Sequence, residues 1–166
     1  MNEEKEVRSE EQLVIFNLGT ETYGVDIVIV REIIRMQSIT SVPRTPDFVE
    51  GVINLRGKII PIIDLHKRFE LSKAEETKDT RIIVVEVGDI SLGMIVDSVN
   101  EVLRIPSKDI DPPPQVINSG INKEYLRGVG KVEEDLIIIL DLEKILHEEE
   151  HKELEESIEQ VAADAE

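Results

Sequence analysis

The chain has 166 residues, 40% of them hydrophobic but only 3% aromatic, so a core must be built from Ile, Val and Leu, which favour strands. The formal charge of −17 is concentrated at the ends, with −3 in residues 1–11 and −8 in residues 147–166, and it disfavours nucleic acid or an anionic membrane as a partner. The lack of cysteine excludes disulfides and thiolate chemistry, and the charged N-terminus carries no secretory pattern, so we expect a cytoplasmic protein.

The first half of the chain predicts short strands and tight turns. Residues 13–18 and 23–27 flank a Gly-containing turn and predict a β-hairpin. A helical turn at 27–30 should lead into a strand, and a loop is expected where Pro43 and Pro46 stand. Two further strands and a short helix follow, at Val52–Leu55, Lys58–Asp64 and Leu65–Glu70.

After a polar segment at 71–79, the same pattern returns. Gly51–Lys67 is echoed without a gap by Gly128–Lys144, and positions 19–35 are echoed by positions 88–104. Self-similarity of this kind indicates a duplicated unit. The offset between matching positions is larger for the second pair of segments in the repeat than for the first. The second copy therefore contains an insertion, which we place in a proline-containing loop at 106–122.

Each copy therefore holds about five short strands, which favours a small closed or nearly closed barrel. A unit of about 60–70 residues is marginally stable alone, so we expect the two copies to pack together, with or without exchange of strands. The predicted sub-barrels span approximately residues 12–70 and 80–146, within one domain of residues 12–146.

The two ends are predicted to be a disordered acidic tail at residues 1–11 and an amphipathic acidic helix at residues 147–166. The second of these contains His147-Glu148-Glu149-Glu150-His151, which fits the H-E-x-x-H pattern of zinc hydrolases. Because no third histidine follows and no strand is left to build a cleft, we favour a solvated charged helix. A metal-dependent hydrolase using His147 and His151 is the alternative function.

No catalytic constellation can be assembled elsewhere. Asp64 and Asp141 end the same strand in the two copies, where they are expected to cap the short helix that follows. His66 is replaced by Glu143 in the second copy, so nothing requires imidazole chemistry there. We therefore expect neither enzymatic activity nor a cofactor.

The two copies differ most at one hairpin. Asn54-Leu55-Arg56-Gly57 in the first copy becomes Lys131-Val132-Glu133-Glu134 in the second. An arginine at a rigid turn is a good anchor for carboxylates or backbone of a partner protein. The alternative is an intramolecular ion pair, for which Glu32 is the obvious candidate.

These residues resemble the CheW family, the coupling proteins of bacterial chemotaxis. The resemblance covers about residues 12–146 and is carried by Tyr23–Ile27, Val30–Ile33, Gly51–Gly57 and Ile60–Leu65, with Gly93–Val99 and Leu136–Leu142 matching the second half. It implies two intertwined five-stranded SH3-like barrels, no catalysis and no cofactor. It also implies that the protein bridges the histidine kinase CheA, through its regulatory domain, and the cytoplasmic tips of chemoreceptors in a membrane-attached array.

The resemblance also implies which residues contact partners or shape the contact surface. In the first copy these are Val30, Glu32, Asn54, Arg56 and Gly57, while Gly51 is expected to allow close backbone approach. If the receptor tip lies in the groove between the barrels, as in the family, Val96, Asp97 and Val99 are added. The kinase contact would pair barrel ends, through edge strands and exposed Ile or Val side chains.

Overall fold

The structure, a computed structural model, describes residues 10–71, 75–112 and 125–144. Within these ranges the chain is built of strands joined by short turns. The strands are β1 (Glu10–Leu18), β2 (Glu21–Asp26), β3 (Val30–Arg35), β4 (Val49–Leu55), β5 (Lys58–Asp64), β6 (Arg81–Val87), β7 (Ile90–Val96), β8 (Ser98–Pro106), β9 (Ile110–Asp111), β10 (Leu126–Val132) and β11 (Asp135–Leu140). The helical elements are the four-residue α1 (Leu65–Arg68) and the 3-10 turns η1 (Ile27–Ile29), η2 (Ser107–Asp109) and η3 (Leu142–Lys144).

The strands form two sheets, and each sheet takes strands from both copies of the repeat. The order β3-β6-β7-β5-β4 defines barrel I, and the order β8-β1-β2-β11-β10-β9 defines barrel II. Barrel I therefore contains the β6–β7 hairpin of the second copy, and barrel II contains the β1–β2 hairpin of the first. The predicted fold class of two intertwined small barrels is confirmed, with the two-residue β9 as a sixth strand of barrel II.

Each sheet curls because one continuous segment of the chain forms hydrogen bonds at both edges of the sheet. In barrel II, the first and last strands, β8 and β9, are separated in sequence only by η2. In barrel I, Thr40, which follows the edge strand β3, forms a bridge with Val52 on the opposite edge strand β4. The residues at 107–111, which we expected in a loop, thus belong to a 3-10 turn and a strand that close barrel II.

A glycine lies where each barrel closes. Gly51 adopts a φ of 146°, and a Cβ atom there would lie 2.1 Å from the carbonyl oxygen of Thr40. This contact would overlap with the backbone that bridges to Val52, so the predicted role of Gly51 in close backbone approach is confirmed. In barrel II, a Cβ on Gly128 would lie 2.8 Å from the carbonyl oxygen of Asp111.

Each barrel encloses a small aliphatic core, and a larger third core lies between the barrels. All five aromatic residues of the chain belong to this third core. Four of them form a row, with ring centroids 5.9 Å apart for Phe16 and Tyr23, 6.1 Å for Tyr23 and Phe69, and 5.7 Å for Phe69 and Tyr125. The few aromatic rings thus all lie where the barrels join, and large apolar side chains of this kind contribute the most buried area.

Local expectations are also met. The turn at 27–30 is η1 followed by β3, and the side chains of Asp64 and Asp141 accept hydrogen bonds from the backbone N–H of His66 and Glu143, at 2.9 and 3.2 Å. Among the described residues, no helix has the length and apolar character needed to span a bilayer. The predicted acidic helix at 147–166 and most of the predicted tail at 1–11 lie outside the described residues.

Candidate protein interaction surface

The Arg56 hairpin is a tightly ordered turn at one end of barrel I. Strands β4 and β5 pair up to Leu55 and Lys58, leaving Arg56 and Gly57 as the two turn residues. Both have positive φ, 53° and 86°, as a type I′ turn, one of the two favoured between twisted strands, requires. The side-chain oxygen of Asn54 accepts the backbone N–H of Gly57 at 2.8 Å, so Asn54 stabilises the turn itself.

Arg56 reaches from this turn to Glu32 on β3. The two side chains form a bidentate ion pair, with Nη1 and Oε1 3.2 Å apart and a second, shorter contact between Nη2 and Oε2. The hydrogen bond to Glu32 raises the pKa of the guanidinium. The intramolecular pair that the sequence offered as the alternative is therefore present, yet the Arg56 side chain remains 70% exposed and accessible to a partner.

The same position in barrel II carries the opposite charge. Glu133 stands where Arg56 stands in barrel I and has nearly the same backbone conformation, with a φ of 56°. Glu101 is the counterpart of Glu32 and is also exposed. Two carboxylates thus replace an ion pair, and the equivalent ends of the two barrels present different chemistry.

Val30 and Val99 occupy equivalent positions, at the starts of β3 and β8, and both are half-buried against the core between the barrels. Val96 and Gly51 are buried, so their contribution to a surface is to shape it. The structure therefore brings Glu32, Asn54, Arg56 and Gly57 together at one end of barrel I. Val30, Val96, Asp97 and Val99 lie along the junction of the barrels, whereas Gly51 lies where barrel I closes.

Asp97 is already engaged within the protein. One carboxylate oxygen accepts the backbone N–H of Gly19 at 2.7 Å, and the other lies 2.9 Å from Nε2 of the buried His66. Sequence reasoning missed this role of His66. A pattern that could have revealed it is that Asp97 and His66 both depart from the repeat, where their counterparts are Val28 and Glu143.

Exposed apolar side chains also occur at equivalent places in the two copies. Ile33 on β3 is 41% exposed and Val102 on β8 is 48% exposed. Each lies on an edge strand of its sheet, between a glutamate and an arginine in the local sequence. Duplicated exposed positions of this kind are suited to contacts with partner proteins.

In the described ranges, no cluster of three or more His, Cys, Asp or Glu side chains is arranged to hold a metal ion. The His147–His151 motif lies outside the described residues. The described residues instead present an exposed arginine, a rigid turn and exposed aliphatic side chains, features that are suited to contacts with a partner protein.

Substituting Asn54 with alanine tests the role assigned to its side chain. Removal of the hydrogen bond to the Gly57 N–H should lower the free energy of unfolding by about 0.5–1.5 kcal/mol. Urea unfolding followed by circular dichroism measures this change, and Asn54→Asp, which retains an acceptor, should recover most of it. An unchanged midpoint for Asn54→Ala would show that the turn does not depend on this bond.

Comparison with known proteins agrees with the fold. The family model described as a CheW-like domain matches residues 12–150. The chain is 42% identical over 147 residues to the chemotaxis protein CheW of Treponema pallidum, covering 86% of each chain. It is 36% identical over 137 residues to that of Thermotoga maritima, covering 82% of this chain and 88% of the relative.

A solved structure shows the same architecture. The scaffolding protein TtCheW from Thermoanaerobacter tengcongensis superimposes with a TM-score of 0.79 at 44% identity, covering 84% of this chain and 94% of that one. The family match, the relatives and the shared fold agree with the duplicated barrels seen here. The chain belongs to the CheW family of chemotaxis proteins.

Proposed function

We propose that the protein is a non-enzymatic adaptor that couples the cytoplasmic tips of chemoreceptors to the regulatory domain of the histidine kinase CheA. In this role it is recruited from the cytoplasm to membrane-attached receptor arrays. The observation that carries the proposal is the divergence of two duplicated barrel ends. An adaptor must bind two unlike partners, and the Arg56–Glu32 pair of barrel I has no counterpart in the Glu133 and Glu101 carboxylates of barrel II.

The binding residues follow from exposure and chemistry. Arg56 keeps N–H donors beyond the two that bond Glu32, on a turn that Asn54 and Gly57 hold in place, so its position costs little entropy on binding. Glu32 orients the guanidinium. Val30 and Val99 extend apolar surface beside the junction of the barrels, where a receptor tip would pack.

Charge reversal of Arg56 tests the proposal. Arg56→Glu should weaken binding of the kinase domain or the receptor signalling fragment by about tenfold or more, because a partner carboxylate would meet a like charge. Isothermal titration against each purified partner measures the effect. Lys78→Glu, which changes the net charge equally at an exposed position away from the hairpin, should bind as the unaltered protein does.

Exchanging the two charges distinguishes a direct contact between Arg56 and a partner from an indirect role in which the ion pair only shapes the surface. The double variant Glu32→Arg with Arg56→Glu can rebuild the ion pair with its polarity reversed. If Arg56 contacts a partner, binding stays weak in the swapped protein. Full recovery of both affinities would instead show that the pair only shapes the surface, and failure of the unaltered protein to bind either partner would refute the adaptor function.

A further inference from the structure

The duplication creates two equivalent seams between the barrels, and they are built differently. The first, which we call the latched seam, contains Gly19, His66 and Asp97. Its counterpart, the open seam, contains Gly88, Glu143 and Val28, which occupy the matching places in the repeat. Comparing the open seam with the latched seam therefore shows which interactions the latched seam alone contains.

At the latched seam, one carboxylate joins the two barrels. Asp97 lies between β7 of barrel I and β8 of barrel II, and its Oδ2 accepts the N–H of Gly19, at the β1–β2 turn of barrel II, at 2.7 Å. Its Oδ1 lies 2.9 Å from Nε2 of His66, in α1 after the strand β5 of barrel I. The backbone N–H of Asp97 also donates to the carbonyl oxygen of Asn17 at 3.0 Å.

The surroundings of His66 indicate which ring nitrogen carries the proton, and therefore that Nε2 donates the hydrogen bond to Asp97. The residue is only 5% exposed, and its Nδ1 has no hydrogen-bond partner among the described residues. A proton on Nδ1 would bury an unpaired N–H, which folded proteins avoid more strictly than an unpaired acceptor. In the neutral ring, the proton is therefore on Nε2 and is donated to Asp97, while Nδ1 keeps a bare lone pair.

At the open seam, this connection is missing. Val28 replaces Asp97 and has no polar side-chain atom with which to accept the N–H of Gly88. Instead, Val28, Gly88 and Glu143 line a cleft of about 380 Å³, and Val28 is 69% exposed. The carboxylates beside it have other roles, since those of Asp26 and Asp141 cap η1 and η3.

We propose that Asp97 is a positioning residue which, through His66 and Gly19, fixes the angle between the two barrels. The core between the barrels is apolar, and apolar contact is non-directional, whereas hydrogen bonds fix direction as well as distance. This inference rests on the proposed function, because surfaces on two barrels can bridge two partners only when their relative placement is set. Asp97, which the sequence suggested as a partner contact, would then affect binding by setting the relative orientation of the two barrels.

The experiment compares Asp97→Ala with the double variant Asp97→Ala, Val28→Asn. The second change offers an amide oxygen at the open seam, in the cleft shared with Gly88, and so moves the latch to the other seam. Asparagine is chosen over aspartate because Asp26, Glu86, Asp141 and Glu143 already line this cleft and would repel a further carboxylate.

Residual dipolar couplings of backbone amides measure the angle between the barrels. In Asp97→Ala, the couplings within each barrel should still fit its own structure, but the two barrels should no longer share one alignment tensor. The double variant should return toward a shared tensor. For the neutral ring in the unaltered protein, the ¹⁵N shifts of His66 should show a protonated Nε2 and a bare Nδ1, and this signature should change when Asp97 is removed.

Binding supplies the second readout. Asp97→Ala should bind each partner alone within about twofold, but the cooperativity of forming the complex with both should fall by about tenfold. A shared tensor together with weaker binding of one partner would overturn the proposal and make Asp97 a direct contact. If alanine prevents folding, Asp97→Asn, which can serve Gly19 or His66 but not both as an acceptor, gives the same comparison.

These outcomes are separable from failure of the proposed function. If neither partner binds the unaltered protein, the adaptor role fails, while the couplings still report whether Asp97 sets the angle. If both partners bind and the tensor remains shared in Asp97→Ala and Asp97→Asn, the adaptor role stands and the positioning role is wrong.

Discussion

Replacing Phe69 with alanine is expected to lower the free energy of unfolding by about 3–5 kcal/mol. The side chain is fully buried, and its ring lies between those of Tyr23 and Tyr125 in the core that joins the barrels. Alanine would remove this apolar area and leave a cavity that two packed barrels cannot readily close. Because native stability is commonly about 5–15 kcal/mol, this loss would be a large fraction of the total.

Urea unfolding at equilibrium measures this loss. Val28→Ala is the matched control, because this valine is exposed and its truncation should change stability by less than about 0.5 kcal/mol. A loss below about 1 kcal/mol for Phe69→Ala would show that the barrels do not depend on their shared core. Two separate transitions in place of one would show that the barrels unfold independently.

Gly51→Ala is expected to have an effect of comparable size, more than about 3 kcal/mol, from a single added methyl group. The added carbon would meet the Thr40 carbonyl oxygen at 2.1 Å, and a φ of 146° is a conformation that side chains disfavour. To relieve the overlap, the bridge between Thr40 and Val52 must open, which unpairs the edge at which barrel I closes.

The chain offers graded controls for this variant. A Cβ on Gly128 would lie 2.8 Å from the Asp111 carbonyl oxygen, so Gly128→Ala should cost less than Gly51→Ala. Gly19 has a φ of 61°, and a methyl group added there would meet nothing within 4 Å beyond its neighbours in the chain. Gly19→Ala should therefore cost only about 1–2 kcal/mol of backbone strain. Thermal unfolding of the three proteins should follow this order, and equal losses would argue against the steric explanation.

Much of the fold could be predicted because the sequence repeats. Matching glycines, aspartates and aliphatic runs in the two copies indicated a duplicated small barrel, and the caps at Asp64 and Asp141 followed from their place after a strand. The pairing of Arg56 with Glu32 was one of the two alternatives for this arginine, since one turn residue and one strand residue of opposite charge suffice to suggest it.

The repeat pattern alone left the exchange of hairpins open, because related hairpins offer similar edges and pairing within or between copies makes similar hydrogen bonds. The connections decide between them. Only Asp97 separates β7 from β8, which is too short for a hairpin turn back onto the same sheet, so the chain must continue into the other barrel. The length of this connection could not be read from the sequence, because the sequence pattern does not define where β7 ends and β8 begins.

The latch of Asp97 and His66 was missed for a related reason. Its members are separated by 31 residues, and each has an ordinary explanation when considered alone. The pairing is suggested only by the fact that both residues differ from their counterparts in the other copy, and this becomes visible only when the two copies are compared position by position. The exposed pair of Ile33 and Val102 was likewise hidden, because exposure depends on which strands become sheet edges.

The exchange of strands has a consequence for how the protein is made. The first hairpin pairs with β8, as Leu13 does with Leu103, so during synthesis it has no permanent partner until the second half of the chain has left the ribosome. Such distant pairings slow folding and leave strand edges uncovered meanwhile. Chains cut near residue 73 should therefore yield two fragments that are unfolded when alone and that assemble into both barrels only when mixed.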